Sequence, residues 1–464
     1  MKQDAATDAQ YRRMTEAPIP GLSLSLCIPS IITSMITSVY NMVDTFFVAQ
    51  LGTAAVAAVG VVFSVSSVIM ALGFWMGTGS SSLVSLQLGA RQQEKAGCTA
   101  STGFFLAMAT GGVITVGGLL FLRPLMRLLG STSTILPEAC LYAAPLLLAA
   151  PFQCSSLALA QNLRAEGMSR ESMTGQLVGG LLNMALDPLF IFGFGWGVLG
   201  AGAATALSQV VVWAALLQYY VRKKTVVRLS PRNIRADGAL LGSIFSAGFP
   251  SLCRHCGNAL SSVVLNRAAG AFGDAAIAAF SVATRVTMLA LSVSIGFVQA
   301  IQPVAGYAHG SKNYGRLRKA YDFTVSASVA AMTAIAAAIA LFARPVIVLL
   351  QIPEETVAIS IAVLRFSCLA LPFATLVNCT GTLFQAIKES TRSSILVLGR
   401  QVCVYVPLMI VLSRLLGLNG LMAALPAADA FCCLVAVVMA RRFFSRLGAG
   451  SPPAGNGLSF AEKD

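Results

Sequence analysis

Two acids stand out because of where they sit. Asp44 interrupts the apolar run NMVDTFFVAQLG (41–52), and Asp187 lies in LLNMALDPLFIFG (181–193). A carboxylate inside a hydrocarbon layer costs about 2.5–3.5 kcal/mol on insertion scales, so such acids mark ion or substrate paths unless they are paired. Tyr40 and Asn41 precede Asp44 by four and three residues, one helical turn away. Asn183 stands one turn before Asp187, and Thr205 in GAGAATALSQ adds a hydroxyl. Carboxylates, amide oxygens, a hydroxyl and a phenol are hard oxygen ligands that suit Na⁺ or a shared proton. Two nearby carboxylates resist carrying two charges at once, which makes the pair a proton acceptor. Pro188 removes a helical hydrogen bond beside Asp187, and Pro29 permits a kink fifteen residues before Asp44.

The second half of the chain carries a different set. Arg254, His255 and Asn258, then Arg285, Gln299 and Gln302, then Asn378, Gln385 and Arg400 fall in apolar stretches. They are candidates for lining a substrate cavity together with Asn41, although packing hydrogen bonds and snorkelling guanidiniums account for such residues equally well. Asp429 has no evident polar neighbour and reads as a structural acid. Met35, Phe63, Met288 and Phe297 are candidate apolar lining, with core packing the commoner role for each. The CRHC stretch (253–256) lacks a second ligand pair, so zinc is not expected. HExxH, GxSxG and DDxxD are absent, so no enzyme and no resident cofactor is expected.

These residues must be positioned by membrane helices. The chain has 464 residues, 56% hydrophobic and only 11% charged, against about 25% charged in soluble domains. The polar N-terminus shows no signal-peptide pattern, so the first apolar run is read as a retained span. Runs of roughly 20 apolar residues give twelve spans: 22–48, 55–86, 97–122, 138–162, 172–194, 198–221, 239–268, 275–304, 319–343, 356–385, 394–414 and 418–440. With both termini cytoplasmic, 23 Lys and Arg fall on the inner side, 5 on the outer side and 4 within spans. That bias is the one the positive-inside rule predicts, so the net charge of +14 needs no nucleic acid to explain it. A location in the cell membrane follows.

Shifted by 221 residues, the sequence matches itself. Pro29–Ser30 falls on Pro250–Ser251, GTAAVAA (52–58) on GDAAIAA (273–279), Gly89 on Gly310, Arg123–Pro124 on Arg344–Pro345, and LAAPF (148–152) on LALPF (369–373). Expected domains are an N-terminal tail (1–21), a first lobe (22–221), a basic linker (222–238), a second lobe (239–444) and a C-terminal tail (445–464). An even number of spans per lobe gives a parallel repeat, with the site expected between lobes as in secondary transporters. At this shift Asp44 meets Leu265 and Asp187 meets Leu408, so the repeat itself does not require the acids.

VDTFFVAQLG, the block from Asn183 to Thr205 (NMALDPLFIFGFGWGVLGAGAAT) and the block from Pro250 to Val286 resemble the multidrug and toxic compound extrusion (MATE) family. The resemblance covers about 20–445. It implies an all-α membrane protein with twelve transmembrane helices in two pseudo-symmetric six-helix bundles arranged as a V. It implies a monomer that exports drug-like molecules by alternating access, driven by inward H⁺ or Na⁺. It also implies a coupling site at Asp44, Asn183, Asp187 and Thr205, with Tyr40 nearby, Ala201 as a backbone ligand and Pro29 as the bend of span 1. Acids found in some members' second lobe are replaced here by Arg254 and His255. Amphipathic cations are the expected cargo. The rival reading is a related flippase for lipid-linked sugars, in which Arg254, Arg285 and Arg400 would hold phosphate.

Overall fold

Long uncharged runs form long helices because hydrocarbon offers no partner for a free backbone N–H or C=O. The computed structural model describes residues 2–235, 237–349 and 354–448, so residues 449–464 of the expected C-terminal tail lie outside it. The first half comprises α1 (Lys2–Glu16), α2 (Ile19–Ala49), α3 (Thr53–Gly89), α4 (Gln93–Leu120), α5 (Leu122–Leu128), α6 (Leu136–Ala165), α7 (Ser169–Pro188) and α8 (Gly197–Val221). The second comprises α9 (Gly238–Gly270), α10 (Asp274–Gly310), α11 (Tyr314–Leu341), α12 (Ala343–Leu349), α13 (Glu354–Ala386), α14 (Ser390–Leu398) and α15 (Tyr405–Gly448). Wider π turns at Leu189–Gly193 and Gly399–Val404 follow α7 and join α14 to α15.

Among the described residues, ten helical segments are long and apolar enough to cross a membrane. One of them, Ser390–Leu447, reverses at Gly417 (φ 61°) and supplies two crossings. α9 supplies the remaining one, although Arg254 and His255 dilute its apolar character. The architecture is therefore the expected twelve-helix, two-lobe fold. The short helices α5 and α12, not anticipated from hydropathy, fall on each other at the same 221-residue shift.

The lobes meet along α2, α3, α9 and α10, and the contacts obey the repeat. Gln302 donates to Ser81 at 2.8 Å, and 81 plus 221 is 302, so this pair sits on the pseudo-twofold axis. A Cβ on Gly89 would strike the Tyr307 carbonyl, and one on Gly310 the Leu86 carbonyl; the two contacts exchange under the shift. Glycine is needed there because two backbones touch. Thr78 donates to Ser251 at 2.9 Å, and Gln385 reaches Ser251 and the Ala247 carbonyl. Gln302 and Gln385 thus close the seam rather than line a cavity. Apart from Ser38–Ser292 at 3.4 Å, these bonds lie in the half of the bundle that carries the termini and the linker.

The segment read as a polar N-terminal tail is a docked helix. Met14 is fully buried, Tyr11 packs on Tyr307, and Arg91 stacks over Tyr11 at 4.3 Å. Arg316 of the second lobe donates to the carbonyls of Met14 (3.1 Å) and Ala17 (2.7 Å). The few apolar residues of α1 suffice because both lobes supply the opposing surface.

Glu166, in the turn after α6, anchors the linker. Its Oε2 accepts the N–H groups of Val226 (2.7 Å) and Val227 (3.3 Å). Burial pushes its carboxyl from 4.5 up to about 8, against the pull of those two amides. The folded state therefore favours the neutral acid, and this contribution to stability is complete below about pH 4.5 and is lost as pH rises through about 8.

Two tests follow from this packing. Thermal unfolding in detergent between about pH 5 and about pH 9 is expected to show the wild type weakening with rising pH and Glu166→Gln following a flatter curve; parallel curves would contradict this. Gly310→Val is expected to prevent the linker-side seam from closing. Cross-linking between cysteines placed at Ser81 and Gln302 measures that, with high yield in the parent and a several-fold lower yield in the valine variant.

Candidate functional site

α2, α6, α7 and α8 bring the expected acids together inside the first lobe. Asp187 is fully buried and Asn183 nearly so. Asn183 Nδ2 donates to Asp187 Oδ1 and to Thr205 Oγ1, both at 3.3 Å. Asp44, on α2, is partly buried and close enough for its charge to act on Asp187. Tyr40, one turn before it, is also partly buried and feels the Asp44 charge. Ala201 is buried one turn before Thr205, and its carbonyl already takes the ladder bond of α8.

Three buried oxygens at this cluster have no hydrogen-bond partner among the described residues: Asp44 Oδ1, Asp187 Oδ2 and Asn183 Oδ1. Unsatisfied acceptors in an apolar core are costly and call for a proton or a cation. Among the described residues no three His, Cys, Asp or Glu side chains form a metal-binding group. A bound ion would depend on the two carboxylates supplemented by amide and hydroxyl oxygens.

Tyr142 was not anticipated. It is the single tyrosine of its span, and its hydroxyl faces Asp44 and Thr205. Gly202 sets that placement, because its lack of a side chain lets α8 approach the Tyr142 backbone. Pro29 is buried within a continuous α2, with Thr33 Oγ1 bonded to its carbonyl at 2.9 Å.

The cavity candidates of the second lobe divide. His255 stacks on Phe74 of the first lobe at 5.3 Å. Arg254 has no hydrogen-bond or ion-pair partner among the described residues, and its Nε is buried. Asn41, Asn258 and Arg285 are exposed, while Gln299 and Asn378 are partly buried. Arg400 is taken up elsewhere: it holds Asp429 through Nε–Oδ1 (2.5 Å) and Nη2–Oδ2 (3.1 Å). The neighbour that Asp429 lacked in sequence is therefore a residue from the preceding crossing. Phe297 is core, whereas Met35, Phe63 and Met288 are exposed.

The family model for MatE matches residues 29–189 and again 250–411. The chain belongs to the MatE family. Its two matches restate the internal repeat. This MatE chain is 24% identical over 444 residues to the multidrug export protein MepA of Staphylococcus aureus strain MSSA476, covering 95% of this chain and 97% of that one. The Staphylococcus saprophyticus protein of the same name is 25% identical, covering 90% and 93%. A crystal structure of a MATE protein in complex with MaL6 superposes with TM-score 0.90 at 29% identity, covering 94% of this chain and 99% of that one. The outward-facing conformation of a multidrug resistance MATE transporter of the MOP superfamily gives the same TM-score and identity, covering 94% and 98%. A Pyrococcus furiosus MOP superfamily transporter, described by the reverse polarity of its binding pocket, gives TM-score 0.89 at 28% identity, covering 94% and 98%. The relatives are transporters, and this MatE chain is a multi-span membrane transporter.

The second-lobe ion pair makes a direct test. Arg400→Met leaves Asp429, 1% exposed, without its counter-charge, and is expected to cost about 3–5 kcal/mol. Arg400→Met combined with Asp429→Leu is expected to recover most of that, read as unfolding midpoints in detergent.

Proposed function

We propose that this chain is a cation-coupled antiporter that exports small amphipathic, cationic drugs or toxins by alternating access. The observation that carries the coupling is the pair of neighbouring carboxylates, each with a buried oxygen that nothing satisfies. Protons or Na⁺ ions arriving from outside, one for each charge the pair carries, neutralise Asp44 and Asp187 and redirect the Asn183 and Thr205 hydrogen bonds. α2 carries Asp44 near one end and packs on α10 along the stretch from Cys27 to Ser38, which includes Pro29, the residue at which a bend would start. Ion binding in the first lobe is thereby felt at the seam. An ion drives this cycle only by binding one conformation better than the other.

The basic face with the termini and linker is assigned to the cytoplasm on the positive-inside rule. A closed seam there corresponds to the outward-open form, with the protein acting as a monomer in the cell membrane. Efflux of a fluorescent cation from proteoliposomes under imposed pH and Na⁺ gradients tests the reading. Asp44→Asn and Asp187→Asn are each expected to lower gradient-driven efflux by roughly tenfold or more, since each removes a charge that the ion must meet. Undiminished efflux in both would refute it.

The unpartnered Arg254 favours a second reading, a flippase for lipid-linked anionic sugars, and the reversed pocket polarity of the Pyrococcus furiosus neighbour supports keeping it. Failure of the wild type to move cations, with transfer of a lipid-linked sugar instead, would select it.

A further inference from the structure

A cavity of about 260 Å³ lies on the linker face, away from the carboxylate pair, where α1, α2 and the start of α7 meet. It is lined by Arg13, Ser25, Gly167, Ser169, Arg170 and Glu171. Two guanidiniums against one carboxylate leave it net positive. Ser169 opens α7, a helix of 20 residues whose first-turn N–H groups lack partners within the helix. Such an end attracts anions. A second observation is independent of the helix end: Ser169 is only 4% exposed, and its hydroxyl has no hydrogen-bond partner among the described residues. Arg13 spends one N–H on a 3.3 Å contact with Ser25 Oγ, and its other donors remain available. Arg170 is exposed and makes no ion pair among the described residues.

The surroundings indicate what kind of anion fits. Leu24 and Ile28 on α2, beside and one turn beyond Ser25, are large exposed apolar residues. Val178 and Leu181 on α7 are exposed in the same way. A basic cavity at the end of two membrane helices, continued by bare apolar surface, matches a phosphate head group with acyl chains below it.

We propose that this cavity binds the phosphate of an anionic membrane lipid. Arg13 and Arg170 clamp the phosphate oxygens, and Ser169 with the α7 amides donates from below. The consequence reaches both lobes. The carbonyl that follows Arg13, that of Met14, is bonded to Arg316 of the second lobe. A lipid that fixes Arg13 to α7 therefore fixes α1 across the seam and favours the closed linker face. This site is independent of the ion-coupling reading and can fail or hold without it.

The test uses the full chain in dodecyl maltoside and reads the unfolding midpoint against three probes: dihexanoyl phosphatidylglycerol, dihexanoyl phosphatidylcholine and inorganic phosphate. Phosphatidylglycerol is expected to stabilise the wild type at a concentration roughly tenfold lower than phosphatidylcholine. Arg13→Gln combined with Arg170→Gln is expected to reduce that preference to about twofold or less, while Arg170→Lys, which keeps a point charge for the phosphate, retains part of it. Both arginines are exposed, so their loss leaves no core cavity, and the wild-type preference is informative by itself. Equal effects of the two lipids, or an undiminished preference in the double variant, would overturn the proposal. Stabilisation by inorganic phosphate equal to that by phosphatidylglycerol would assign the site to a free anion and overturn the lipid.

Discussion

A carboxylate that water does not reach must be neutralised by something. Asp187 is fully buried, shares its surroundings with Asp44, and meets no cationic side chain within the first lobe. The amide of Asn183 is too weak a partner to balance a buried charge. Two features of the first lobe position this pair: Gly202 lets α8 approach α6, and Thr205 and Asn183 link α8 to α7. The second lobe solves the same problem permanently. Asp429 is held by a bidentate guanidinium from Arg400, so its charge is settled and unavailable to an external ion. The pseudo-symmetric halves thus carry an acid pair without a counter-ion among the described residues in one lobe and an ion-paired acid in the other.

The linker-side seam between lobes joins small polar groups and bare backbone. Polar bonds such as Thr78–Ser251 and Gln302–Ser81 sit among backbone contacts at Gly89 and Gly310. Basic residues of the connecting turns also serve the fold. Arg91, Lys312 and Lys388 adopt left-handed φ values of 58–68° where α3, α10 and α13 end. Arg91 and Lys312 are related by the 221-residue shift, as are Gly167 and Lys388. Cations at these positions sit at the negative ends of the helix dipoles, so the side assignment of the chain and its helix stops share residues.

Much of this was legible in the sequence because the signals were local or periodic. Span lengths, the 221-residue register and the i to i+4 spacing of Asn183 and Asp187 need no tertiary information. The errors have a common cause. Gln302, Gln385 and Arg400 looked like cavity residues because a polar side chain in an apolar helix has no assigned partner until the neighbouring helix is known. The docking of α1 was hidden in the same way, because its apolar surface is small and becomes useful only between two lobes. Tyr142 carried no local signal at all.

The sequence by itself determined the twelve-helix count, the duplication and the two acids of the first lobe, since hydrocarbon thickness and helical period act along the chain. Tertiary structure alone decided which polar groups are satisfied. It gave Asp429 a counter-ion from another helix and left Asp44 and Asp187 without one. Pairing across helices depends on packing rotation and depth, and no one-dimensional pattern carries either.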